Sequence, residues 1–97
     1  ASGVIPTDTR TSITNADAAG AYPIATFTWI IIYQEQNYSD RSKEQATATL
    51  DLLQYILSDE AQKITSEVHY APLPAQAKEL SLKNLKTVTY DGVTILQ

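Results

Sequence analysis

Cysteine is absent from all 97 residues, which excludes disulfide scaffolds, thiolate zinc clusters and thiol nucleophiles. Methionine is absent as well, and glycine occurs only at Gly3, Gly20 and Gly92. Three isolated glycines make neither a P-loop nor a dinucleotide-binding turn, because both need closely spaced glycines to bring main-chain N–H groups up to phosphate. Positive charge is scarce: seven Lys and Arg against eleven Asp and Glu give a net charge of −4 and a pI near 4.7. Nucleic acids and anionic membranes are bound through clustered cations, so neither is an expected partner. Lys78, Lys83 and Lys86 come nearest to a cluster and read as a solvated helix face. The longest apolar run, Trp29–Tyr33, is far shorter than the roughly 20 residues of a membrane-spanning helix.

What is present is a globular composition, 43% hydrophobic and 19% charged. A chain of this length buries only about 60–65% of its unfolded surface, so one core is expected. Neither targeting segment nor internal repeat is recognisable. The opening Ala1-Ser2-Gly3 without a methionine reads as a processed or truncated product.

Ala1–Gly20 is rich in Thr, Ser, Asp, Ala and Gly and reads as a connector, with a short strand expected at Arg10–Thr14 between turns at Pro6-Thr7-Asp8 and Asn15-Ala16-Asp17. From Ala25 to Tyr33 β-branched and aromatic residues dominate, and both alternate faces become apolar after Thr28. That pattern predicts a central strand covered on both sides, beginning after Pro23, which has no N–H to give a ladder.

Ser42 and Gln45 have capping-box spacing, with Ser39 and Asp40 as alternative caps. Ala46, Leu50, Leu53 and Leu57 then recur at helical intervals, while Glu44, Thr47, Asp51 and Gln54 take the opposite face. Ser58 with Asp59-Glu60 predicts a second, short helix through about Glu67. The tract Tyr70-Ala71-Pro72-Leu73-Pro74 ends it, and Pro74 at a first helical position starts a third through about Lys86. Asp91-Gly92 between Thr87–Tyr90 and Val93–Leu96 predicts a terminal hairpin.

No catalytic constellation is visible, so the chain is not expected to be an enzyme. His69 has no thiol to activate, and its nearness to Ser66 and Glu67 in sequence makes no triad. Asp51, Asp59 and Glu60 are explained by helix surface and macrodipole better than by a metal, and neither metal nor cofactor is expected. Phe27, Trp29 and Tyr33 read as core before ligand groove. The one anion-binding hint is hydroxyl and guanidinium donors at Arg10, Thr26 and Thr28.

Ile5-Pro6, Ser12-Ile13-Thr14-Asn15-Ala16, Ala21-Tyr22-Pro23-Ile24 and Phe27-Thr28-Trp29, followed by two helices and Tyr70-Ala71-Pro72-Leu73-Pro74, resemble in order the C-terminal end of the periplasmic phosphate-binding protein of the high-affinity phosphate ABC transporter. The resemblance covers essentially all 97 residues. It implies an α/β fold, the C-terminal portion of a two-lobed, type-II-like periplasmic binding protein, with one central buried strand, two to three helices and a short terminal β-hairpin. Residues 1–20 would be a connector and the end of the second lobe, 21–36 an interlobe crossing strand with a hinge at Tyr22, Pro23 and Ile24, and 37–97 the C-terminal part of the first lobe. The family's phosphate ligands come from upstream loops and match no residue here, leaving Arg10, Thr26 and Thr28 as supporting candidates. The implied partners are the upstream remainder of the receptor, inorganic phosphate through the complete receptor, and the transporter permease. The implied location is periplasmic or extracellular, with a membrane anchor through an N-terminal segment as a further expectation. A second expectation, from a different class, is a stand-alone structural or interaction module of a surface assembly, in which Thr26–Tyr33 pairs with another chain by strand addition.

Overall fold

The computed structural model describes residues 5–17 and 19–96. Helix α1 spans Lys43–Ile56, α2 Asp59–Glu67 and α3 Ala75–Leu85; strands β1 Thr89–Tyr90 and β2 Val93–Thr94 follow. Over the described residues the chain is therefore a small mixed α/β protein of three helices and a two-stranded antiparallel hairpin.

Local chemistry accounts for each helix end. The Ser42 hydroxyl accepts from the Gln45 N–H at 3.2 Å, and the Gln45 side chain accepts from the Ser42 N–H at 3.0 Å. This reciprocal capping box satisfies two otherwise orphaned donors of α1. The Ser58 hydroxyl likewise accepts from the Ala61 N–H and starts α2 with Asp59 and Glu60 in its first turn. At the end of α2, His69 adopts φ 64°, its N–H donates to the Ser66 carbonyl, and the Tyr70 N–H donates to the Thr65 carbonyl. That pair of bonds is a Schellman closure, and it gives the single histidine a structural place. Pro74 is the cap residue before α3 and not its first helical residue, one position earlier than the sequence suggests.

The hairpin turns at Asp91 and Gly92, with φ of 55° and 76°, the left-handed pair that a two-residue turn requires. Thr89 faces Thr94 and Tyr90 faces Val93. The ladder is shorter than the predicted Thr87–Tyr90 and Val93–Leu96, although the Ile95 N–H still reaches the Val88 carbonyl.

Leu50, Leu85 and Val88 form the buried cluster, with Ile32, Leu53, Leu57, Ile95 and Leu96 packed partly against it. The apolar face predicted for α1 is the face that is buried, with Ala46 and Leu50 fully enclosed. α2 buries no residue; the Leu73 N–H donating to the Gln62 side chain and an ion pair between Asp59 and Lys78 tie it to the proline tract and to α3. Lys78 is thereby removed from the surface lysine group that its neighbours Lys83 and Lys86 suggest.

Two predicted strands do not form. Arg10–Thr14 pairs with nothing and runs into a turn at Thr14-Asn15. The central buried strand expected at Ala25–Tyr33 is an unpaired extended segment instead. Ile30 is 61% exposed, Ile31 91% and Tyr33 69%, with only Phe27 and Ile32 of its large side chains half-buried. The physical reason is the absence of neighbours. A strand apolar on both faces needs flanking strands and covering layers, and among the described residues the only strand-like contact lies just beyond it, a parallel bridge from Glu35 to Thr89.

Candidate functional site

The extended segment forms one wall of an open, largely apolar cleft of about 1150 Å³, whose other walls are residues 8–12, α1 and α3. The Trp29 indole N–H donates to the Thr9 carbonyl at 3.2 Å, and the Phe27 and Trp29 rings meet edge to face at 6.3 Å between centroids. Leu53 of α1, its C-cap residue Leu57, and Ala77 and Leu85 of α3 complete the apolar lining.

The residues proposed for anion binding are only partly brought together. Arg10 and Thr28 both face the cleft, and Thr26 does not. The Arg10 guanidinium is turned onto Asp8, with Nε donating to Asp8 Oδ2 at 2.8 Å and a terminal nitrogen 2.7 Å from the same oxygen. Asp8 is held below the ordinary carboxylate range by this side-chain hydrogen bond and by the Arg10 N–H. A guanidinium already neutralised by a carboxylate has little pull left for a second anion. The Thr26 hydroxyl donates to the Phe27 carbonyl at 3.3 Å.

Tyr22, Pro23 and Ile24 lie in a turn and are exposed. The Ala25 N–H donates to the Tyr22 carbonyl at 3.4 Å, while the Pro23 carbonyl accepts from the Asn15 N–H at 2.7 Å and the Ala25 carbonyl from the Thr14 hydroxyl at 3.1 Å. The proposed hinge is thus a bend stitched to the preceding connector, ahead of the segment it would swing.

The most densely bonded polar group is one that sequence reasoning missed. Glu35 Oε1 accepts from the Asn37 N–H at 2.9 Å and the Asp91 N–H at 2.8 Å. Glu35 Oε2 accepts from the Thr89 hydroxyl at 2.8 Å and the Gly92 N–H at 3.1 Å. These donors, led by the Asn37 N–H and the Thr89 hydroxyl, pull the Glu35 carboxyl down to about 2. Beside it the buried Gln36 donates its N–H to the Thr89 carbonyl at 2.8 Å and its side-chain amide to the Tyr33 carbonyl at 2.6 Å. The nearest signal in the sequence is the Asp-Gly turn, which exposes two adjacent N–H groups, but nothing in the sequence says which acid will fill it.

Among the described residues no three His, Asp or Glu side chains are grouped to hold a metal ion. No helix there is long and apolar enough to cross a membrane. The chain matches no family model, no curated protein and no solved structure.

Proposed function

We propose that the chain is the C-terminal part of a periplasmic phosphate-binding receptor for an ABC transporter, supplying lobe scaffold and hinge and no direct phosphate ligand. The observation that carries this reading is the bare segment Ala25–Tyr33, whose composition suits a central strand and whose apolar side chains face solvent. Its exposure is large. The chain presents 7211 Å² of surface, about 1,700 Å² more than the roughly 5,500 Å² of a folded monomer of 10.7 kDa. That excess is about twice the roughly 800 Å² that each partner contributes to an interface of standard size, so there is ample bare surface for a polypeptide neighbour to cover.

Further support comes from the ordered motifs of the sequence and from the neutralisation of Arg10, which argues that the phosphate ligands lie elsewhere. In this reading the upstream part of the receptor pairs with Ala25–Tyr33 and fills the cleft, the bend at Tyr22–Ile24 serves the lobe crossing, and the polar face of α1 around Glu44–Gln54 is offered to the permease. Calorimetric titration with inorganic phosphate tests it. The 97-residue chain alone should give no heat of binding, and the chain with the upstream part of a family receptor supplied should bind. Micromolar binding by the chain alone would refute the claim that its ligands are elsewhere.

A further inference from the structure

The Glu35 carboxylate joins its own neighbourhood, through Asn37, to a hairpin 54 to 57 residues further on. Asn37 lies just before the turn leading to α1, Thr89 is in β1, and Asp91 and Gly92 form the hairpin turn; all four donate to one side chain. Two main-chain bonds lie alongside, Thr89 N–H to the Gln34 carbonyl and Gln36 N–H to the Thr89 carbonyl, each 2.8 Å. The Asn37 side-chain amide donates to Asp91 Oδ1 at 3.3 Å, and the Tyr90 hydroxyl donates to the Arg41 carbonyl at 2.9 Å. Main-chain bonding of this kind stops at Gln34: residues 26–33 make no main-chain hydrogen bond to the hairpin, and of them only Ile32 packs against the cluster around Val88.

We infer that Glu35 is a clamp that makes the hairpin, residues 34–37 and the entry to α1 one rigid unit, and so places the pivot of the extended segment N-terminal to Gln34. Two adjacent carboxylate oxygens, one bridging Asn37 and Asp91 and the other held twice by the hairpin, resist both sliding and opening of the Glu35–Thr89 bridge. A neutral side chain at this position accepts at only one oxygen and loses half of the set. The clamp follows from these contacts alone. That the pivot serves lobe movement rests on the function proposed above, and neither measurement below involves phosphate, so the two ideas fail separately.

The test is amide hydrogen exchange by NMR on the 97-residue chain, comparing the wild type with E35A and E35Q. The readouts are the Gln36 and Thr89 amides, which the carboxylate does not touch. In E35A their exchange should quicken about tenfold or more, with α1 amides such as Leu53 unchanged, and E35Q should fall between the two. Unchanged exchange at Gln36 and Thr89 in E35A would overturn the clamp. Should E35A lose protection in α1 as well, E35Q decides by the same two amides. Nitrogen-15 relaxation of the wild type places the pivot: order should be uniform over 34–37 and 88–94 and fall on the N-terminal side of Gln34. Uniform order extending back through Thr26 would refute the placement.

Discussion

Glu35 and Thr89, 54 residues apart, lie side by side in a parallel bridge, and the Thr89 hydroxyl donates to Glu35 Oε2 at 2.8 Å. The contact joins the only stretch of extended chain before α1 to the only ladder after α3, among the described residues. The buried apolar cluster, Leu50, Leu85 and Val88, lies C-terminal to Glu35, and Ile32 reaches it from the N-terminal side.

Lowering the pH should loosen this junction late. The folded-state value of Glu35 lies at about 2, below its ordinary value, so its contribution is fully present above the ordinary carboxylate range and is lost as pH falls from there through about 2. Asp8 and Asp59, lowered by Arg10 and by Lys78, shift stability in the same direction. Carbon-13 titration of the side-chain carboxyls should show Glu35 as the last glutamate to protonate, with hairpin amides changing in step. Asp91 is the other acid at the junction and has to be followed in the same experiment.

Leu50 and Ile31 make a paired prediction. Leu50 is fully buried between α1, α3 and Val88, and L50A should cost about 2–4 kcal/mol, with the melting temperature dropping or the transition disappearing. Ile31 is 91% exposed, so I31S should change the stability of the chain by less than about 0.5 kcal/mol. If an upstream partner covers Ala25–Tyr33 as proposed, the gap between the two variants should narrow in the assembled form, because Ile31 would there be covered. Thermal denaturation of both variants, alone and assembled, measures this.

Removing the first cap of α1 isolates a local term. S42A leaves the Gln45 N–H without its acceptor and should cost about 1 kcal/mol, read as a shift in urea midpoint at unchanged slope.

Gly92 separates space from conformation. Nothing lies within 4 Å of where a Cβ would stand, yet φ is 76°. G92A should therefore destabilise by about 1 kcal/mol purely through the left-handed backbone, and exchange at the Asp91 and Gly92 positions should rise before that of α1.

The helices were legible because their causes are local. Ser42 with Gln45, Ser58 with Asp59-Glu60, and the 3.6-residue recurrence of Ala46, Leu50, Leu53 and Leu57 act over a few residues and need no partner from elsewhere. The Asp91-Gly92 turn was legible for the same reason. Residues 25–33 were misread because strand composition reports a preference for neighbours, and neighbours are supplied by tertiary structure. Glu35 escaped notice because a lone acid at a turn has no spacing signature, and three of its four donors come from the opposite end of the chain. Of the candidate donors, Arg10 and Thr28 both line the cleft, and the Asp8 carboxylate that pairs with Arg10 sits only two residues away in the sequence.

Between Asp17 and Glu35 the sequence carries no charge at all, and within that span Phe27–Ile32 is uncharged, free of proline and glycine, and rich in β-formers. Six such residues with open main-chain edges have the makings of a cross-β nucleus, since identical copies stack on one another as readily as on any other partner. Pro23 and Glu35 bracket the stretch as gatekeepers, one unable to extend a ladder and the other unable to stack against its own charge. Covering Phe27–Ile32 would thus remove an edge open to self-stacking as well as bury its apolar side chains.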